Sequence, residues 1–452
     1  MECFITDEQK AFRQVPVQVR RDERAEFGLT VCEPGHLRQR IAGFGGAFTE
    51  AGAYVFAQMP PAVQDEFLLR CFGAADRRNP AAGGNAYSLC RTHIQSCDFA
   101  LGNYAYVTDP RDRSLSTFSL DRDRQLLIPF IRCGLAVNPA LELVASPWSP
   151  PAFMKTNLSM NRGGRLRRRY FGRWAALLAR YVDAYAREGI RIGRMTVQNE
   201  PMARQTWDSC LFTGQQEAEF AAEHLRPALD AAGYGDVRLL GWDHNTDRLV
   251  ERADALLAAR DGGAPAAFDG IAFHWYTGDH FEAVRAVAQA HPGKELLFTE
   301  GCVEYSRNDG ATETRKAEQY AHAAIGHLDA GAAGFIDWNL LLDERGGPNH
   351  VRNFCEAPLM YDRGARQLIV HRSFYYLGHL SRFVAPGARS MLVSRCDDAV
   401  ECAGFVNPDG GRVLVALNRR DHAAHLSVAE RPHVADVDLP PHAIATLTWD
   451  RP

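Results

Sequence analysis

The sequence predicts an α/β protein, a (β/α)8 TIM barrel carrying a side β-sandwich built from both chain termini. Three observations predict it. Eight short apolar runs alternate with amphipathic segments over about 340 residues, the size and rhythm of eight βα units. From about residue 385 the pattern changes to short alternating runs separated by turn signals. Residues 12–31 alternate in the same way, through Val15, Val17 and Val19, and can complete those C-terminal strands. The implied division is 1–38 for the N-terminal sandwich strands, 39–384 for the barrel and 385–452 for the rest of the sandwich.

The eight runs are 41–48, 87–94, 141–146, 195–198, 237–242, 270–275, 295–299 and 333–338. Most are apolar nearly throughout, as strands covered on both faces should be. Helical patterns lie between and after them at 61–71, 122–135, 169–188, 215–232, 247–259, 281–290, 315–329 and 367–383. The clearest is 169–188, where Phe171, Trp174, Leu177, Leu178, Tyr181 and Tyr185 recur at three- and four-residue steps and form a core-facing stripe. Pro60 and Pro61 suit a helix start and Gly233 a helix stop. A doubly wound open sheet is the competing architecture. Its phosphate turn would fall at Gly43-Phe44-Gly45-Gly46, but the GxGxxG spacing is absent and no acidic residue ends a second strand nearby. Beyond the barrel, the runs 391–394, 401–406, 412–418, 424–429 and 443–449 include the turn Asn407-Pro408-Asp409-Gly410-Gly411. There proline fixes φ and Asp-Gly supplies a positive φ.

Composition narrows the function. Fifty-one basic residues against 55 acidic ones give a net charge of −4, which argues against broad electrostatic capture of nucleic acid. No apolar run reaches the ~18–20 residues needed to span a bilayer. The first residues show no basic-then-apolar secretory pattern, so the expectation is a cytoplasmic protein or one exported by a non-classical route. Eleven cysteines with no CxxC pair read as buried free thiols in a reducing compartment. The histidines form no HExxH or similar cluster, so no metal site is expected. The run Arg165, Arg167, Arg168, Arg169 reads as a solvated loop, with transient contact to a lipid phosphate or an anionic membrane as the alternative.

In a (β/α)8 barrel the chemistry sits at the C-terminal ends of the strands. The fourth run leads into Glu200 and the seventh into Glu300, one hundred positions or three βα units apart, so both face one mouth. Two carboxyl groups across a small gap can divide acid and nucleophile roles. A gap of about 5 Å suits a retaining glycoside hydrolase and roughly 6.5–9.5 Å an inverting one. Trp148, Trp275, Tyr276 and Trp338 offer flat faces to a pyranose, and Asp98, Asn199 and Asn339 can fix its hydroxyls. Taken alone, each of these has a structural reading: Asp98 as a helix cap, His274 as a satisfied core histidine, Cys302 as a packed small residue, Trp148 and Trp338 as core.

The strings GFGGAFTE (43–50), SCDF (96–99), SPW (146–148), NEP (199–201), HWY (274–276), TEGC (299–302), DWNLLL (337–342), GGPN (346–349) and RNF (352–354) resemble glycoside hydrolase family 30. The likeness is strongest to its glucosylceramidase branch and to bacterial members of that branch, which include a type III effector. It runs in order through nearly the whole chain. The resemblance implies retaining hydrolysis of a terminal β-glucosyl residue, from glucosylceramide or a related glycosphingolipid or β-glucoside, without a cofactor. It assigns the acid/base to Glu200 and the nucleophile to Glu300. It puts Asp98, Trp148, Asn199 and Trp338 around the sugar, and His274, Tyr276, Cys302 and Asn353 along the pocket wall. A β-xylosidase or β-1,6-glucanase is the alternative within the family, and a sugar-binding protein without turnover the alternative outside it. The loop after Glu200 departs from the lysosomal enzymes, so Arg204, Trp207 and Asp208 bear on the aglycone, and the oligomeric state stays open.

Overall fold

The structure, a computed structural model, describes residues 1–22, 28–257, 267–307, 310–396 and 398–450. Eight parallel strands close into a barrel: Gly43–Phe48, Leu89–Ile94, Glu142–Pro147, Ile192–Thr196, Arg238–Asn245, Gly270–His274, Glu295–Glu300 and Gly334–Asn339. The eighth pairs with the first, Phe335 opposite Phe44. Leu89, Val144, Leu240, Ala272, Leu297 and Ile336 fill one layer of the interior, so the barrel is packed below its mouth. The glycine run of the first strand serves this closure rather than a phosphate. A Cβ on Gly45 would stand 2.1 Å from the carbonyl oxygen of Leu89.

The helices follow the sequence pattern, with differences that have causes. Phe171–Arg187 buries its aromatic stripe. The segment expected as one helix over 215–232 is Gly214–Phe220 and Arg226–Ala231, joined by a π turn at Ala221–Leu225. Pro227 has no N–H to give back to the preceding turn, and the wider π turn absorbs the loss. The helix expected over 247–259 is Leu249–Leu257 behind a short turn at Thr246–Arg248, and 258–259 lie outside the described residues. The last helix is shorter than expected. Gln367–Val370 is a strand, antiparallel to Leu359–Asp362, and the helix is Arg372–Ser381. The Asp362 carboxylate accepts from the N–H groups of Gly364 and Ala365, which turns the chain back on itself before a helix can start.

Ten strands from the two ends of the chain form a second sheet, ordered Arg13–Val15, Glu2–Thr6, Ala443–Trp449, Arg412–Asn418, Glu401–Val406, Arg389–Ser394, Leu29–Arg40, Ala424–Glu430, His433–Leu439 and Gln18–Arg21. Of the run expected over 12–31, positions 23–27 lie outside the described residues. Alternation gives this sheet two apolar faces. Cys3, Ile5, Leu414, Ala416, Ala445 and Leu447 fill the sandwich interior. Phe4, Val413, Val415, Leu417 and Ile444 join the core that runs through the barrel's helices. The helix Arg372–Ser381 carries the junction: His379 lies between the hydroxyls of Thr6 (2.7 Å) and Thr446 (2.8 Å). All eleven cysteines are free thiols, and all but Cys133 and Cys396 are buried. Among the described residues, no helix is long and apolar enough to cross a membrane.

Candidate active site

The mouth of the barrel is organised around a fully buried cation, Arg91, in the middle of the second strand. Its guanidinium donates to Glu300 Oε2 at 2.5 Å, to Asn199 Oδ1 and Asp243 Oδ2 at 2.8 Å, and to Ser146 Oγ at 3.0 Å. An uncompensated charge so far from water would be very costly, and two carboxylates and two neutral acceptors saturate this one. Asp243 is shared further. Its Oδ2 accepts from Thr196 at 2.7 Å, and its Oδ1 accepts from Thr299 at 2.7 Å and meets His274 Nε2 at 3.0 Å. Burial works to raise Asp243, but Arg91 and His274 hold its carboxyl well below the usual range.

Local irregularities aim these groups. In the fifth strand Trp242 pairs with Ala272 and His244 with Phe273, so Asp243 is an extra residue, a β-bulge. Trp242 and Asp243 both adopt left-handed φ, 72° and 50°. The buried Glu217 carboxylate steadies the bulge by accepting from the Trp242 N–H. A second register shift, where His274 pairs with Glu300 and Thr299 is passed over, turns Glu300 at the end of its strand. Beyond the fourth strand, Asn199 N–H donates to Pro147 and Glu200 N–H to Asp243, which stitches this segment between its neighbours. Glu200 itself has φ 45°, a conformation disfavoured for a side chain of this size and typical of functional positions.

Glu200 and Glu300 converge: one oxygen of each and a ring nitrogen of His274 lie within 4.8 Å of one another. Such a triangle also has the spacing of metal ligands, but Arg91 already delivers a positive charge to Glu300, which disfavours a second cation. Glu300 Oε1 accepts from the Tyr276 hydroxyl at 3.1 Å. Glu200 accepts from Gln205 at 3.2 Å and faces His274 Nδ1 at 3.5 Å and His244 Nδ1 at 3.8 Å. Burial penalises every charge here. Even so, Glu300 and Asp243 push His274 up to about 9, and His274 with His244 pulls Glu200 down to about 2. Burial and the nearby Glu200 push Glu300 up, against His274 and Arg91.

Most of the remaining positions singled out in the sequence gather around the same mouth. Trp148 and Trp338 stack on each other, 5.2 Å between centroids, with the Arg91 guanidinium 4.7 Å over Trp148. Asp98 accepts from Asn353 at 3.0 Å through Oδ2 while its buried Oδ1 has no partner, and burial pushes its carboxyl well above the ordinary range. Cys302 Sγ lies 3.4 Å from the Tyr276 hydroxyl. Trp207 packs against the cluster holding Trp148, Trp338 and Cys302, while Asp208 is buried and accepts from Ser96 at 2.6 Å. Two expected contacts fall elsewhere. Trp275 packs between Phe298 and Tyr320, because the residue after His274 points out of the barrel. Asn339 is committed inside, accepting from Thr49 at 2.8 Å. Arg91 and Asp243 were missed from the sequence. The signals were a charged residue inside the otherwise apolar second strand and an acid at the end of the fifth strand.

The fold has counterparts among known proteins. Residues 41–384 match the glycosyl hydrolase family 30 TIM-barrel domain and residues 387–447 the family's β-sandwich domain. The lysosomal acid glucosylceramidase of Mus musculus is 33% identical over 444 residues, 94% of this chain and 84% of that one. Among solved structures, SrfJ from Salmonella typhimurium superposes with a TM-score of 0.94 at 42% identity, covering 100% of this chain and 99% of the other. The endo-β1,6-glucanase BT3312 superposes with a TM-score of 0.86 at 25% identity, again over 100% and 99%. By its two matched domains, its (β/α)8 barrel and its side sandwich, this chain belongs to glycosyl hydrolase family 30 and is a glycoside hydrolase.

Proposed function

We propose that the protein removes a terminal β-glucosyl residue with retention of configuration, from glucosylceramide or a related β-glucoside, using Glu300 as nucleophile and Glu200 as acid/base. The observation that carries this reading is the approach of the two carboxylates to within 4.8 Å. That spacing suits direct attack and is shorter than the roughly 6.5–9.5 Å of an inverting pair. In the first step Glu300 attacks the anomeric carbon and the bond to the aglycone oxygen breaks as Glu200 protonates that oxygen. In the second, Glu200 takes a proton from water, whose oxygen displaces Glu300 from the same carbon.

The resting charges differ from those of the reacting complex, and His274 explains how they are exchanged. Its Nδ1 faces Glu200, and its Nε2 is anchored on Asp243. Passing the proton from Nδ1 to Glu200 arms the acid and leaves a neutral ring still bonded to Asp243. The 3.5 Å gap must shorten for this, and the aglycone oxygen supplies the new partner that draws the proton across. Arg91 and Tyr276 donate to the Glu300 carboxylate and hold it toward the anomeric carbon. Asp98 and Asn353 then fix sugar hydroxyls, with Asn199 beside the acid directed to the 2-hydroxyl.

The likeness to the mouse lysosomal acid glucosylceramidase supports the glucosylceramide reading. A β-1,6-glucan is the second reading, favoured by the likeness to an endo-β1,6-glucanase over the whole chain. Glu300→Gln tests the assignment. The variant should melt as the parent does and lose turnover of a nitrophenyl β-glucoside, and full retained activity would overturn it. Product analysis with glucosylceramide, short β-1,6-glucans and aryl β-xylosides separates the substrates.

A further inference from the structure

The bulge in the fifth strand aims a second side chain besides Asp243. In a regular strand successive side chains point to opposite faces, so only one of Asp243 and His244 could serve the mouth. The extra residue, with left-handed φ at Trp242 and Asp243, puts both on the site. Asp243 meets His274, and His244 Nδ1 stands 3.8 Å from Glu200 Oε1. The His244 ring is held rigidly. It packs on Trp242, 5.0 Å between centroids, and Trp242 Nε1 donates to the Asn245 carbonyl at 3.0 Å. Asn245 Oδ1 in turn accepts from the Tyr276 N–H at 2.9 Å, which ties the segment to the end of the sixth strand.

The neighbours of this ring decide which nitrogen carries its proton. Burial, with the charged His274 nearby, pushes His244 below its ordinary value against the pull of Glu200. At neutral pH one nitrogen is therefore a donor and the other an acceptor. Nδ1 is buried, has no hydrogen-bond partner among the described residues and faces a carboxylate. A lone pair aimed at Glu200 would be repelled, so Nδ1 holds the proton and Nε2 is the acceptor. The side chain is 13% exposed, and with Nδ1 shut off, solvent reaches the ring by its other edge. Asp243 and Asp247, the other acids close to this ring, are committed elsewhere, Asp243 to Arg91 and His274, and Asp247 to the Thr277 hydroxyl at 2.9 Å. The glucosyl ring is assigned to Glu300, Asp98 and Asn199, and Glu200 gives its proton to the aglycone oxygen. An acceptor beside Glu200 and outside that set faces the aglycone.

We infer that His244 is a specificity-determining residue that accepts, through Nε2, a hydrogen bond from an aglycone N–H or O–H close to the glycosidic oxygen. The inference rests on the retaining-glucosidase reading of the mouth. N-acylated amino alcohols and polyols carry such a donor, and plain alkyl groups do not. The test compares ethyl, 2-hydroxyethyl and 2-acetamidoethyl β-glucosides. All three pass through one glycosyl-enzyme, so damage to the fold or to Glu200 lowers them together, while loss of the contact changes their ratio. A hydrogen bond to a partly hydrated nitrogen is worth about threefold to tenfold, so the parent's kcat/KM for the two donor-bearing substrates exceeds that for the ethyl glucoside by about this factor. His244→Phe keeps a ring on Trp242 but offers no acceptor, and the ratio falls to about one. His244→Ala, which also lacks the acceptor, gives the same ratio and decides the matter if the Phe variant does not fold. A parent without the preference, or a preference that survives in these variants, would overturn the inference. If the parent cleaves all three equally, this inference fails and the catalytic reading stands; if Glu300→Gln still cleaves them, the catalytic reading fails.

Discussion

Asp243 Oδ1 and His274 Nε2 lie 3.0 Å apart, with neither side chain reached by solvent. The contact fixes the ring: Nε2 keeps its proton toward Asp243, and Nδ1 is left to exchange one with Glu200. The pH behaviour of the enzyme follows from this pair.

Because His274 is raised to about 9, its proton is present at neutral pH and is lost as pH climbs through 9. Its stabilising contribution is full below about 6.5 and falls over the same rise. If this proton arms Glu200, the basic limb of kcat/KM belongs to His274. In His274→Gln the proton must rest on Glu200 alone, and the basic limb should move to lower pH. A limb that stays in place would assign it to another group.

Glu200→Gln should separate substrates by leaving group. A nitrophenolate departs without protonation and an alkoxide does not. Loss of a general acid typically costs about 10²–10⁴-fold. The loss in the glycosylation step should therefore be near the top of that range for an alkyl β-glucoside and much smaller for the nitrophenyl one. Equal losses on both would remove Glu200 from the acid role.

Arg91→Met leaves Glu300 and Asp243 without their common partner, and both are buried. Breaking a buried charge network in this way costs about 3–5 kcal/mol. Urea denaturation should show a loss of that order. A change below about 1 kcal/mol would mean that the neighbouring donors compensate for the missing cation.

His379 is held neutral between two threonine hydroxyls, and burial pushes it well below its ordinary value. Below about pH 6.5 the unfolded chain takes a proton there that the folded chain refuses, so stability falls as pH falls. In His379→Gln the acid-side slope of unfolding free energy between pH 6.5 and 5 should flatten by about one proton's worth. An unchanged slope would show that other groups dominate.

The barrel was legible because most of its strands are apolar nearly throughout and its helices periodic, and polar strings fell at strand ends. Glu200 and Glu300 could be paired from spacing alone because a closed barrel converts three βα units into a position across one mouth. Asp243 could not be placed that way. A bulge of two left-handed residues aims it, and nothing in Trp242-Asp243-His244 marks a bulge. Arg91 was hidden differently, inside a strand whose neighbours are core. The sandwich was read from 12–31 and the C-terminal runs, but Glu2–Thr6, only five residues long, and His433–Leu439, whose apolar run Asp436 and Asp438 break, were missed. Three of the four aromatics expected as a platform stand at the mouth. Alternation decides which of His274, Trp275 and Tyr276 faces inward, and Trp275 is the one that does not.

Cys3 pairs with Leu447, and the strand that bears Cys3 also contributes Phe4 to the barrel's core. Glu2–Thr6 therefore has no neighbour on that edge until Ala443–Trp449 has been made. During synthesis the nascent barrel waits with one flank uncovered, so its cooperative assembly follows the making of Ala443–Trp449. A truncation that removes Ala443–Trp449 would strand an otherwise complete barrel as an aggregation-prone intermediate.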